Sequence, residues 1–229
     1  MIPVTKAQLL SLAPKPRPEY LQTFESADQV FAKYGINDSA LRLAHFMAQV
    51  LHETGAFTIL YESLNYTPQA LISLFSRTRI SVDDANKYGR TDQHPADQKM
   101  IGDTIYGGPW GKLNLGNTDT DDGYNFRGTG LLQMTGRGSR TTIGTKLGVD
   151  LVNNPANAAD PKYLLAIACE EWNEKGCNPF ADKDDILTIT RKINGGTNGL
   201  DSRKDWLVKT KAIWLAAPPQ SATPPEITA

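Results

Sequence analysis

Residues 45–66 read HFMAQVLHETGAFTILYESLNY, an apolar helical run followed by two glutamates nine positions apart, Glu53 and Glu62. Just upstream and within it, Leu41, Ala44, Met47, Val50 and Leu51 recur at helical spacing, and Asp38 stands where an N-cap is expected. If that helix continued through Glu62, nine steps of about 100° would place the second carboxylate on the far face, about 13 Å along the axis. The two could not then cooperate. Thr54 and Gly55, however, weaken the helix directly after Glu53, and FTILY favours an extended path. A chain that turns there returns Glu62 across a cleft from Glu53.

Working outward, helical signals dominate and the chain reads as mainly α. Thr5 is the N-cap of TKAQLLSL, and one helix is expected from Pro18 to the left-handed cap position at Gly35. Further helices are expected in TPQALISLFS, SVDDANKYG, HPADQKMIGDTIYGG, DPKYLLAIACEEWNEKG, KDDILTITRKING and GLDSRKDWLVKTKAIWL. Residues 107–130, GGPWGKLNLGNTDTDDGYNFRGTG, show no sustained period and read as a long functional loop. Its Trp110, Tyr124, Phe126 and Arg127 are candidates for a sugar-stacking or substrate-positioning rim. The last 14 residues, rich in proline and nearly uncharged, read as an extended tail.

With 229 residues, 40% hydrophobic and 21% charged, the chain suits one domain or a domain with two lobes. A net charge of −1 gives no global attraction to nucleic acid or to an anionic membrane. The N-terminus carries no signal-peptide pattern and no apolar run approaches a membrane span, so the expectation is a cytoplasmic protein without stable membrane insertion. Cys169 and Cys177 form no disulfide framework and read as packing thiols, with a local bridge or a redox role as alternatives. No metal site is expected, because Ala56 occupies the place of the second histidine of an H-E-x-x-H motif. His52 either tunes Glu53 or packs.

Paired carboxylates across a cleft are what glycosidic hydrolysis needs, one protonated to release the leaving oxygen and one ionised to activate water or attack carbon. Glu53 ends an apolar helix, where partial burial favours the protonated acid. Glu62 lies among Tyr61, Ser63, Asn65 and Tyr66, which can solvate an ionised base. The plain alternative is two surface glutamates flanking a turn.

The blocks LAHFMAQVLHETGAF, YESLNY, FRGTGLLQMTGR and KINGG, in that order, resemble the signature of family 19 glycoside hydrolases, which comprise plant-type chitinases and bacteriophage endolysins. The likeness covers about residues 40–215 and is nearer the endolysin branch, since the glutamates are close in sequence and the plant disulfide set is absent. It implies a lysozyme-like, two-lobed helical domain over residues 1–215, with the cleft between lobes, and a flexible tail over 216–229. It implies an inverting mechanism without cofactor, with Glu53 as general acid, Glu62 as general base and the Thr135 hydroxyl holding the water. Inversion calls for carboxyls roughly 6.5 to 9.5 Å apart, or more in an open cleft. Gln133 matches a substrate-contacting glutamine and Asn194 an asparagine that reaches the sugar.

Gly128 and Gly130 would let backbone approach a sugar, while Arg127 has two readings: a substrate or carboxylate contact, or a structural ion pair. Together with Tyr66 and Tyr124 it completes the expected substrate-binding set. The function implied is a monomeric enzyme that cuts β-1,4 bonds of peptidoglycan glycan strands, synthesised in the host cytoplasm and reaching the wall through a holin. Rival readings are a lytic transglycosylase using one glutamate, a chitinase, a non-catalytic glycan-binding module and, more weakly, a zinc amidase.

Overall fold

The computed structural model describes residues 1–215; the proline-rich segment 216–229 lies outside the described residues. Two long helices, Ala40–Glu53 and Leu200–Trp214, pack along each other. Alanines make the approach close: Ala44, Ala48 and Leu207 fill the seam, and the Thr210 hydroxyl donates to the Ala44 carbonyl at 2.9 Å. A third, Pro161–Glu174, places Trp172 edge-on against Phe46. Leu43, Met47, Val50, Leu51, Leu164 and Leu165 complete a large core, to which the free thiols of Cys169 and Cys177 also belong.

A second, smaller core gathers Leu64, Leu71, Ile80, Ala85, Ile101 and Ile105 from the helices Pro68–Leu74, Val82–Tyr88 and Gln98–Ile105. The chain passes from one core to the other within four residues: Leu60 is buried in the large core and Leu64 in the small one. Glu62 therefore falls at the crossover between two lobes. A third cluster, Met134, Ile143, Leu151, Ala158 and Ile167, supports Arg137–Leu147.

Extended pairing among the described residues is limited to isolated bridges, Tyr61 with Thr129 and Thr129 with Met134. These tie the crossover to the FRGTGLLQMT segment. Beneath them lies Arg140, 1% exposed, donating to the Thr129 hydroxyl at 3.0 Å and the Pro155 carbonyl at 3.1 Å.

Local signals set several boundaries as expected. Thr5 and Gln8 form a reciprocal capping box, and Gly35 and Gly195 adopt φ of 62° and 76° at helix ends. The expected helix from Pro18 to Gly35 is instead broken into Pro18–Thr23, a short 3-10 turn Phe24–Ser26 and Ala27–Lys33. The break frees the Thr23 hydroxyl to accept the Leu165 amide at 3.0 Å while Phe24 and Phe31 both face the core. Asp38 does not cap; Ser39 holds the N-cap position in extended conformation, without a side-chain bond.

Residues 107–130 are not a continuous loop. They contain the helices Gly108–Leu115 and Asp122–Asn125, joined by a turn in which the Asp122 carboxylate accepts the Thr118 and Asp119 amides and the Arg137 guanidinium. Polar closure replaces apolar periodicity there. Arg137–Leu147 and Asn178–Ala181 are helices beyond those expected.

Candidate active site

Glu53 closes its helix, and the chain then reverses in a left-handed turn. Gly55, Ala56 and Phe57 have φ of 53°, 57° and 64°, and the Thr58 and Ile59 amides both donate back to the Thr54 carbonyl. The break after Glu53 is thus a left-handed turn, and only Tyr61 goes on to pair as extended chain. Ala56 and Phe57 each carry a strain of about 1–2 kcal/mol for adopting this region without being glycine. Burying Phe57 against Tyr20 and Phe24, at centroid distances of 5.3 and 5.6 Å, returns a comparable amount, about 1.5–3 kcal/mol. The Thr54 hydroxyl, itself donating to the Val50 carbonyl, accepts the Phe57 amide at 2.9 Å.

The turn delivers Glu62 to the same cleft as Glu53. That cleft, about 550 Å³, is lined by both glutamates with Ile59, Ser63, Tyr106, Gly128, Leu132, Gln133, Thr135, Ile193 and Asn194. Leu132 and Ile193 belong to the large core, and Tyr106 packs against the small one, so the cleft lies between the lobes.

The two carboxylates have different partners. Glu53 Oε1 accepts from Arg203 Nη2 at 2.6 Å, and the guanidinium, 2% exposed, also donates to Gln49 Oε1. The apolar surroundings expected for Glu53 are therefore corrected: a buried cation sits beside it. The His52 Nδ1 lies 3.0 Å from the Ser202 hydroxyl, and burial followed by the Arg203 charge lowers its pKa against the opposing pull of Glu53. Glu62 is held by neutral donors. The Tyr106 hydroxyl donates to Oε1 at 2.6 Å, the Gly128 amide donates to Oε2 at 3.2 Å, and the Glu62 amide returns a bond to the Gly128 carbonyl at 2.8 Å.

Thr135 donates its hydroxyl proton to the Gln133 carbonyl at 2.9 Å, which leaves its lone pairs free to accept. Gln133 has a φ of 54° and folds its amide onto the Gly130 carbonyl at 2.8 Å. Asn194 ends Ile186–Asn194 and donates to the Asn198 carbonyl at 3.2 Å. Glu53, Glu62, Thr135, Gln133 and Asn194 thus share one cleft.

Arg127, Tyr66 and Tyr124 are not among its lining residues. Tyr66 and Tyr124 pack against the small core, Tyr66 edge-on to Phe75 at 5.7 Å, so the hydroxyl bonded to Glu62 is that of Tyr106. Arg127 forms no ion pair among the described residues; it stacks 4.0 Å from the Tyr124 ring and 4.9 Å from Tyr61, and donates Nη1 to the Tyr124 carbonyl. Of the remaining rim candidates, Trp110 is covered by Arg79 at 3.7 Å and Phe126 is buried.

Arg203 and Tyr106 are the site residues that sequence reasoning missed. Each meets its glutamate across 150 and 44 positions of chain, respectively, a separation that no local spacing encodes.

No family model matches the chain. It is 32% identical over 163 residues to a glycosyl hydrolase family 19 domain-containing protein of Haemophilus influenzae, covering 71% of this chain and 75% of that protein. The fold is shared with chitinase C from Streptomyces griseus, at a TM-score of 0.60 and 20% identity over 93% of both chains. A bacterial family 19 chitinase gives a TM-score of 0.60 at 19% identity, covering 94% of this chain and 96% of its own. A class IV chitinase from Zea mays gives 0.51 at 15% identity, over 94% of this chain and 84% of its own.

Proposed function

The chain belongs to glycosyl hydrolase family 19, and from that premise we propose that it hydrolyses β-1,4 bonds of the peptidoglycan glycan strand, in the manner of the endolysin branch, by inverting acid/base catalysis. The observation that carries this reading is the single cleft holding Glu53, Glu62 and Thr135, with each carboxylate fixed by its own partners.

Glu53 acts as the general acid. Arg203 occupies Oε1 and leaves Oε2 without a hydrogen-bond partner among the described residues, available to carry the proton. Glu62 acts as the general base, its charge stabilised by the Tyr106 hydroxyl and the Gly128 amide. A water donates one hydrogen to Glu62 and the other to the Thr135 oxygen, which aims its lone pair at the anomeric carbon. As the new carbon–oxygen bond forms, the glycosidic bond breaks, Glu53 protonates the departing oxygen and Glu62 takes the water proton. Gln133 and Asn194 contact the sugar.

Peptidoglycan is favoured over a neutral glycan by Arg127. Its guanidinium commits one nitrogen to a carbonyl, pairs with no carboxylate among the described residues, and stacks on the Tyr61 and Tyr124 rings, outside the cleft lining but one residue along the chain from Gly128. A stem-peptide carboxylate, present in peptidoglycan and absent from chitin, suits that position. The chitinase reading is the alternative, supported by the names of the structural relatives. The test compares initial rates on purified peptidoglycan and on chitin oligomers for the parent and Arg127→Gln. Peptidoglycan specificity predicts faster wall cleavage and a loss confined to that substrate. Equal sensitivity on both, with chitin preferred, would favour the chitinase. Synthesis in a phage host, action as a monomer and passage to the wall through a holin belong to the same proposal.

A further inference from the structure

The residue after Gln98–Ile105 carries a role that neither the sequence motifs nor the family resemblance assigns. Tyr106 is a member of the small lobe's apolar packing, yet its hydroxyl makes the shortest polar contact to Glu62, 2.6 Å to Oε1. Its ring lies beside Arg79, whose guanidinium stands 5.4 Å from the Tyr106 centroid, 4.8 Å from Phe75 and 3.7 Å from Trp110. Arg79 is in turn anchored through Nε to the Ile105 carbonyl at 2.8 Å. The backbone is tied as well: the Tyr106 carbonyl accepts the Asn117 side-chain amide at 2.8 Å, and the Asn117 oxygen accepts the Arg137 amide at 2.8 Å. A phenol packed on its face and tethered at its backbone has few ways to move.

Resting on the reading of Glu62 as the general base, we propose that Tyr106 is a positioning residue that fixes the rotamer of Glu62 so that its remaining lone pairs face the attacking water. A carboxylate in the short crossover between Leu60 and Leu64 has free rotation about its side-chain torsions. The Gly128 amide alone restrains one oxygen through a 3.2 Å contact, while the phenol restrains the other and leaves the remaining lone pairs for the water. Burial first, and the Glu62 charge second, push the Tyr106 phenol far above its ordinary range, so it stays a donor throughout the working pH range.

Tyr66 on the same segment and Arg79 from the Phe75–Trp110 stack interact electrostatically with Glu62, and Glu53 lines the same cleft. Removing only the Tyr106 hydroxyl leaves all of these in place. A carboxylate that has lost one of its two anchors samples rotamers that do not face the water, so the loss falls on kcat rather than on KM.

The experiment is Tyr106→Phe assayed for kcat and KM on peptidoglycan, beside Glu62→Gln and a thermal melt. The expected result is a kcat lower by about tenfold with KM and Tm close to the parent's, because the ring is retained and only the restraint on Glu62 is lost. If Glu62→Gln is inactive and Tyr106→Phe keeps the parent kcat, Tyr106 only packs and this inference falls. If Glu62→Gln itself keeps the parent rate, the base assignment falls and takes this inference with it.

Discussion

Glu53 ends a 14-residue helix and is gripped by a buried cation, whereas Glu62 lies in the crossover between lobes and is held by a phenol and a backbone amide. The two anchors differ physically. An ion pair acts over several ångströms and tolerates small displacements, while neutral hydrogen bonds weaken steeply away from good geometry. The acid's position is therefore built into the helical frame, and the base's depends on a strained turn, a bridge and one tyrosine. Base function should be the more sensitive to small local changes, and acid function to the loss of a single charge.

The largest expected effect comes from removing either carboxylate. Glu53→Gln and Glu62→Gln should each lower kcat by about 10³-fold in wall-turbidity assays, with folding intact by circular dichroism. A nearly silent Glu62→Gln would dissolve the comparison and return the single-glutamate transglycosylase.

Next is the cation. Arg203→Met leaves the Glu53 carboxylate and the buried Gln49 oxygen without their cation and should cost roughly 3 kcal/mol of stability in a denaturant titration, with kcat down by about 10²-fold. Arg203→Lys should recover stability more than activity, since an ammonium does not reproduce the fork that spans Gln49 and Glu53.

Smaller still is Gly128→Ala. An added Cβ meets Gln133 Oε1 at 2.9 Å and Glu62 Cβ at 3.4 Å, so the base should be displaced slightly and kcat fall about tenfold without a change in Tm. An unchanged rate would mean that the Glu62 side tolerates displacement as well as the Glu53 side does.

The smallest effect is a gain. Ala56 at φ 57° should relax as Ala56→Gly, raising stability by about 1 kcal/mol and leaving catalysis unchanged. A destabilised variant would show that the turn is not held in the left-handed region.

What the sequence made legible is local. The helix ending at Glu53, the break at Thr54 and Gly55 and the left-handed positions Gly35 and Gly195 follow from periodicity and glycine chemistry. The helix Arg137–Leu147 was hidden because RGSRTTIGTKL offers little apolar period; its face is organised instead by a buried arginine, Arg140, and by Ile143. Tyr124 read as part of a sugar-facing rim because aromatics in a glycine-rich segment often serve that way, and Tyr66 read as a substrate-binding neighbour of Glu62 because it lies four residues along the chain. In the fold both pack against the small lobe's core. Arg203 and Tyr106 carry no local signal at all, since their meaning arises only when distant helices close around the cleft.

The most direct test of the two-carboxylate account is mass spectrometry of the soluble fragments released from purified peptidoglycan in water enriched in oxygen-18. Water-dependent cleavage by Glu53 and Glu62 predicts ordinary reducing ends, each carrying one heavy oxygen. Anhydro-sugar ends without label would contradict it, because the attacking group would then be a hydroxyl of the substrate and Glu62 would have no water to activate.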